Sequence, residues 1–345
     1  MILDPWFLEN LVCPRHRGPL RPEGTQLACP DGDRYDTVDG IPVMLLGDVE
    51  QTHEAATRSL AHDGAESATG VGATADAASA PPREDPAGVH PFVQRNLIAT
   101  HGVMYEAMHL TEYPIPEIPL PRAIGTEAML DIGCNWGRWS TAGALKGYRV
   151  VGIDPSLEAI RAARSIARQL GTTARFVVGD ARFLPFRAHC FDVVFSYSVL
   201  QHFAKDNVRQ ALGSIRQVLK DDGVSLIQML NGIGARSLYN RARMLFAERH
   251  PFAVRFWSVR ELRDSFSAAL GPTTLVVDGF FSANVQRADF HLLPGRFRAL
   301  VDVSDLLRSL TSRFPLLTNV ADSIYVLSGD NPARVAEIER VLGAR

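Results

Sequence analysis

The sequence predicts an α/β protein, built on an open, doubly wound and mostly parallel sheet and preceded by a small β-rich unit. Three observations predict it. From residue 128 onward, short Val- and Ile-rich runs alternate with helical stretches. Those runs are apolar on both faces, as strands with helices on either side must be. A Cys- and Pro-punctuated opening, residues 1–48, stands apart from them across a stretch almost without large apolar side chains.

The totals agree with one large unit and one small one. The chain has 345 residues and is 46% hydrophobic, enough for a proper core. No apolar run reaches spanning length. The start, "MILDPWFLENLVC", carries Asp4 and Glu9 and does not read as a secretory signal. The four cysteines, Cys13, Cys29, Cys134 and Cys190, are scattered, which suits a reducing cytoplasm. A formal net charge of -2 gives no reason to expect a nucleic-acid partner. The only lysines are Lys146, Lys205 and Lys220, so arginine clusters carry less meaning here than elsewhere.

Taken in order, residues 1–48 end in "YDTVDGIPVMLL". Residues 49–88 are expected to be a flexible linker, because they cannot bury enough surface to offset ordering. "PFVQRNLIATHGVMYEAM" predicts a helix, followed by the stiff "YPIPEIPLP". Strands are expected at "AMLDIG", "RVVGID", "ARFVVG", "FDVVFS" and "GVSLIQM", with helices over 138–146, 156–170 and 205–219 between them. Beyond residue 230 the rhythm loosens. Helices are expected over 234–248 and 258–269, with strands at "TTLVVDGFF" and "DSIYVLS".

In such a sheet ligands bind beyond the carboxyl ends of the strands. "LDIGCNWG" leaves the first strand with Asp131, Gly133, Asn135 and Gly137, small or turn-tolerant residues that let backbone approach a ligand. Asp154 ends the second strand, placed to accept two hydrogen bonds from a ribose diol. Asp180 and Ala181 end the third, suited to an adenine edge. The fourth ends in "SYSVLQH", from Ser196 to His202. A dinucleotide turn would want G-x-G-x-x-G, but Asn135 and Arg138 replace its second and third glycines, which argues against a nicotinamide-dependent dehydrogenase. Taken alone, Asp154 could equally be a helix cap, with Ser156 and Glu158 after it.

The ordered set of turn, Asp154, Asp180-Ala181 and "FDVVFSYSVLQHF" resembles the class I S-adenosylmethionine-dependent methyltransferases, closely over residues 128–230. The resemblance implies a Rossmann-like sheet of seven strands, the last antiparallel, and S-adenosyl-L-methionine as cofactor. It implies that Asp131, Gly133 and Gly137 line the methionine moiety, that Asp154 holds the ribose, and that Asp180 with Ala181 holds the adenine. Asn135 departs from the family's usual glycine, yet asparagine tolerates a left-handed backbone, so the turn can survive.

The implied reaction is methyl transfer to a small-molecule acceptor, foremost a hydroxyl of a specialised metabolite, quinone, phenol or sugar. Alternatives are an RNA or protein methyltransferase and a non-catalytic cofactor-binding scaffold. "SYSV" in place of an Asn/Asp-Pro-Pro-aromatic motif argues against planar amine acceptors. His202 is the candidate base, since an imidazole titrates near working pH; the competing reading is a packed structural residue. Asp221 and Asp222 enter the fifth strand at the wrong edge. Arg236, Tyr239 and Arg243 share a helix face that could hold an anion, though a solvated face is the simpler reading. "ADFHLLPGRF" and "RSLTSRFPLL" are candidate lid segments. The sequence leaves a homodimer open.

Residues 11–46, through "LVCPRHRGPL", "LACPDGDRY" and "DGIPVMLL", resemble the small zinc-ribbon-like activator of methyltransferases. Cys13 and His16 stand for the first ligand pair. The second keeps only Cys29, with Gly32 in its partner's place, so Asp31 or Asp33 would have to complete it. The expectation is a metal-free fold that packs against the core or shapes the substrate entrance.

Overall fold

The computed structural model describes residues 3–61, 88–101, 110, 112–234, 237–239, 255–281 and 286–344. Helix α1 (Pro5–Asn10) opens on Asp4, whose carboxylate accepts from the Phe7 amide, with proline at the first helical position. Strands β1 (Arg21–Glu23), β2 (Gln26–Ala28), β3 (Arg34–Val38) and β4 (Ile41–Pro42) then form an antiparallel sheet in sequence order.

Part of the expected linker is a helix. Helix α2 (Glu54–Leu60) buries Ala55, Ala56 and Ser59. The Ser59 hydroxyl donates to the Pro155 carbonyl and accepts from the Leu157 amide, so α2 docks on the large unit. The flexible-linker reading of 49–88 is therefore corrected over 54–60, and residues 62–87 lie outside the described residues. Helix α3 (Pro91–His101) begins the larger unit, with Val93 and Leu97 buried.

The large unit alternates as expected: β5 (Ala128–Ile132), α4 (Arg138–Leu145), β6 (Arg149–Asp154), α5 (Leu157–Gln169), β7 (Arg175–Val178), β8 (Phe191–Ser196), α6 (Lys205–Val218), β9 (Leu219–Leu230), α7 (Val259–Leu270), β10 (Thr273–Gly279), α8 (Gly295–Leu310), β11 (Ser323–Ser328) and α9 (Pro332–Gly343). The strands order as β10-β11-β9-β8-β5-β6-β7. Strands β7, β6, β5, β8 and β9 run parallel to one another, and β11 is antiparallel to both β9 and β10. This is a seven-stranded Rossmann-like sheet with its last strand antiparallel, as expected. The helix expected over 234–248 falls mostly outside the described residues.

Alternation along the strands divides the core. Leu130, Val151, Val177, Val194 and Ile227 pack with Leu212, Ile215 and Phe266 on one face. Met129, Val150, Val193, Phe195 and Leu226 pack with Trp139, Tyr148 and Ile338 on the other. Helix α5 starts at Ser156, whose hydroxyl accepts from the Ala159 amide, and buries Leu157, Ile160, Ala163, Ile166 and Ala167 at helical spacing.

The N-terminal sheet is continuous with this core. After β4 the chain runs beside β7: Val43 pairs in parallel with Val178, and the Met44 amide donates to the Val178 carbonyl at 2.7 Å. Leu11 bridges to Phe186, and Leu11, Leu27, Tyr35 and Met44 share one buried cluster with Leu130 and Phe186. The small unit thereby covers what would be an open sheet edge.

Candidate active site

The carboxyl ends of β5, β6, β7 and β8 bring the predicted residues together. After β5 the backbone is left-handed at Gly133 (φ 71°), Asn135 (φ 49°) and Gly137 (φ 80°). Asparagine thus adopts the conformation that the turn requires. A Cβ on Gly133 would collide with the Val199 side chain, so glycine there serves close approach as well as torsion. The Gly133 and Cys134 amides donate to the Ile153 carbonyl, which ties the turn to β6.

Asp154 closes β6 and is partly exposed. Its carboxylate accepts from the Asn135 amide at 3.0 Å and the Ser156 amide at 2.9 Å. Asp154 therefore clamps the turn after β5 to the start of the next helix, whose own cap is Ser156. Burial pushes its pKa up to about 6. Asp131 is 1% exposed and accepts from the Ser140 hydroxyl at 2.6 Å. Burial, opposed by that hydrogen bond and reinforced by Asp154, pushes it up to about 7.

Two strand-end residues are more engaged than their sequence suggests. Asp180 caps the turn Ala181–Phe183 and holds the Arg182 guanidinium through both carboxylate oxygens, at 2.6 Å from Nη2 and 3.0 Å from Nε. Arg182, missed in the sequence, also donates to the Glu50 carbonyl. The Ser196 hydroxyl is fully buried and donates to the Ile132 carbonyl, joining β8 to β5. What Ser196 can offer a ligand is therefore chiefly backbone.

Beyond β8, Ser198 is left-handed (φ 62°) and His202 closes the turn Leu200–His202. A non-glycine residue in that region marks a site held by its surroundings. Burial, then the nearby His53, lowers the His202 pKa to about 4. His53 caps α2, so the stretch expected as linker reaches this edge of the sheet.

Arg138, which breaks the dinucleotide pattern, has a structural partner. It is buried and pairs with Asp289 at 2.5 Å, while its Nε donates to the Pro114 carbonyl. Asp289 lies in the turn Arg287–Leu292, within the segment predicted as a lid. Gln286 donates to the Tyr197 hydroxyl, and Tyr197 donates to Asp278. Trp139 and Tyr197 lie 4.8 Å apart, centroid to centroid. Tyr239 is exposed; Arg236 and Arg243 lie outside the described residues. Asp221 and Asp222 are exposed near the start of β9, away from the site.

The strand ends fit a nucleoside-bearing ligand. A carboxylate lies beside a left-handed turn, and the Asn135 Oδ1 is buried without a hydrogen-bond partner among the described residues. Apart from this edge, Cys13, His16 and Cys29 bring their ligand atoms within 4.8 Å of one another.

Residues 129–223 match the family described as a methyltransferase domain. An uncharacterized methyltransferase of Bacillus subtilis, YcgJ, is 31% identical over 141 residues, 41% of this chain and 55% of the relative. A ubiquinone biosynthesis O-methyltransferase of Agrobacterium fabrum is 32% identical over 119 residues, 34% of this chain and 45% of the relative. The chain thus spans about half the length of these curated relatives. The solved structure of the Bacillus YcgJ protein aligns over 60% of this chain and 92% of its own, at 22% identity and a TM-score of 0.42.

Proposed function

We propose that this chain, whose residues 129–223 form a methyltransferase domain served by S-adenosylmethionine, transfers a methyl group to an acidic hydroxyl of a small molecule. The observation that carries this reading is the left-handed turn at Gly133, Asn135 and Gly137, clamped to the carboxylate of Asp154.

When bound, S-adenosylmethionine supplies an electrophilic methyl on a sulfonium. Each strand-end residue would take one part of that cofactor. Asp154 accepts from the ribose hydroxyls, and Gly133, Asn135 and Gly137 shape the backbone against the methionine moiety, with Asp131 behind them. Asp180 and Ala181 flank the adenine edge, with Arg182 fixing the carboxylate. Ser196 sets the floor between β5 and β8.

His202 serves as the proton acceptor. With a pKa of about 4 it is neutral at pH 7 and ready to take a proton, but it is a weak base. The mismatch is about six units for a phenol-like hydroxyl of pKa about 10. For an aliphatic alcohol, a far weaker acid, it is much larger. A phenolic or quinol oxygen is therefore a better acceptor than a sugar hydroxyl. The relative that methylates an oxygen in ubiquinone biosynthesis supports the same class.

The test is incubation of the full chain with methyl-labelled cofactor and a panel of catechols, hydroquinones, sugars and short RNAs. Label on the ring hydroxyls is expected. Label on sugars or RNA alone would contradict the acceptor class.

A further inference from the structure

We propose that Gln201 and Trp257 form a hydroxyl-recognition site beside His202, and that the methyl acceptor is a ring bearing a second hydroxyl besides the one methylated. The inference rests on the reading of the strand ends as the site of a ring-hydroxyl methyltransferase. Gln201 lies in the turn Leu200–His202 that follows β8, next in sequence to His202. Its carbonyl accepts from the Arg255 amide at 2.7 Å, which lays the segment leading to Trp257 against that turn. Trp257 pairs in parallel with Asn231, just beyond β9, and its carbonyl accepts from the Gly232 amide at 2.7 Å. Both residues therefore stand where β8 and β9 end, the edge at which such sheets hold their ligands.

Gln201 is 3% exposed and Trp257 1%. Gln201 Oε1 and Trp257 Nε1 are nonetheless without a hydrogen-bond partner among the described residues. The Gln201 amide is held in one sense: its Nε2 donates to the Ser198 hydroxyl at 2.8 Å, so Oε1 is the end left over. Ser198 is itself left-handed, at φ 62°. The indole is fixed as well. Lys205 Nζ, paired with Glu261, lies 4.9 Å from the ring centroid, and the ring shares a buried cluster with Leu200. A buried polar atom left unpaired is costly, and folded proteins keep few. Here an acceptor and a donor are both left unpaired at one corner of the strand-end edge.

The pair defines what it takes. The amide oxygen only accepts, and the indole N–H only donates. A hydroxyl satisfies both at once: it donates its proton to Gln201 Oε1 and accepts from Trp257 Nε1 through a lone pair. A ring carbonyl or methoxy oxygen satisfies Trp257 alone, an ammonium satisfies Gln201 alone, and a bare ring carbon satisfies neither. Neither atom is charged, so a neutral hydroxyl suits the site better than a carboxylate or phosphate. His202 takes the proton of the hydroxyl that is methylated, so the hydroxyl held here is a second one, kept in the product. Catechols and hydroquinones are the class that carries both. A site built to hydrogen-bond a substrate hydroxyl rejects the analogue without it, because its own buried groups then stay unpaired.

The test compares kcat/KM of the full chain, with S-adenosylmethionine, for a dihydroxylated ring, its monomethyl ether and the matching monophenol. Wild type should prefer the dihydroxylated ring to each of the other two by roughly tenfold or more. Trp257→Phe keeps a ring but has no N–H, and Gln201→Met keeps the length but has no amide. Each should bring that preference towards unity, whatever it does to the overall rate. Three rings methylated with equal efficiency by wild type would overturn the recognition site and leave the ring-hydroxyl reading standing. No label on any ring hydroxyl would overturn both. A preference that both variants retain would overturn the assignment to Gln201 and Trp257, whose unpaired atoms would then serve a trapped water. The wild-type comparison stands even if a variant does not fold.

Discussion

Asp131 holds a carboxyl where water does not reach, and its pKa of about 7 has a thermodynamic consequence. The native state keeps its proton up to about pH 7, whereas the unfolded chain releases it near pH 4. The native state therefore binds more protons across that window, and the contribution of Asp131 to stability declines as pH rises through it, by up to about 1.4 kcal/mol per unit. Asp131→Asn, which can still accept from Ser140, should remove that slope. Urea unfolding at pH 5 and pH 7.5 checks it: the variant should gain relative to wild type at the higher pH. His202 shifts the other way. As the base it must be unprotonated, so the acid limb of kcat should fall near pH 4 rather than near 6.5. His202→Ala should lower kcat by roughly 100-fold or more with cofactor affinity nearly intact. Lost binding with retained turnover would make it a structural residue. Much at this scale was legible. Asp154, Asn135 and Gly137 stand at strand ends that hydrophobic runs announce. The engagement of Asp180 by Arg182 and of Ser196 by Ile132 was not, because both depend on rotamers and backbone partners that no residue pattern encodes.

Among the elements, the strands read directly because each is a short apolar run between breakers. "RVVGID" and "FDVVFS" coincide with β6 and β8. Strand β9 begins at Leu219, earlier than its apolar run, because the half-buried Lys220 and the exposed Asp221 and Asp222 extend it beyond the buried part. Helix α2 was missed for the opposite reason. Ala55, Ala56 and Ser59 are too small to signal burial, and their fit depends on Pro155 and Leu157, about a hundred residues away. The turn Arg287–Leu292 is fixed to α4 by the buried Arg138–Asp289 pair. Arg138→Met should cost roughly 3–5 kcal/mol, since it strands a buried carboxylate. The double variant with Asp289→Asn should cost less than the two single changes together. A double-mutant cycle in urea measures this coupling.

For the molecule as a whole, composition predicted two units, and the structure joins them. Cys13, Leu27, Tyr35 and Met44 lie in the same cluster as Leu130, Val177 and Phe186, and Val43 pairs with the edge of β7. The joint was illegible because "GIPVMLL" reads as the end of a small unit and carries no mark of the strand it pairs with. A shared core predicts one cooperative transition. Calorimetric unfolding should show a single peak, whereas an early separate peak would mean that the N-terminal unit melts by itself. The central claim is that the carboxyl edge of this joined sheet is the cofactor site, with Asp154 on the ribose. Isothermal titration of S-adenosylmethionine into wild type and Asp154→Ala tests it most directly. One site per wild-type chain is predicted, with affinity lower in the variant by a few kcal/mol from two charge-assisted hydrogen bonds. Equal affinity in a variant that remains folded would place the ribose elsewhere and contradict the account.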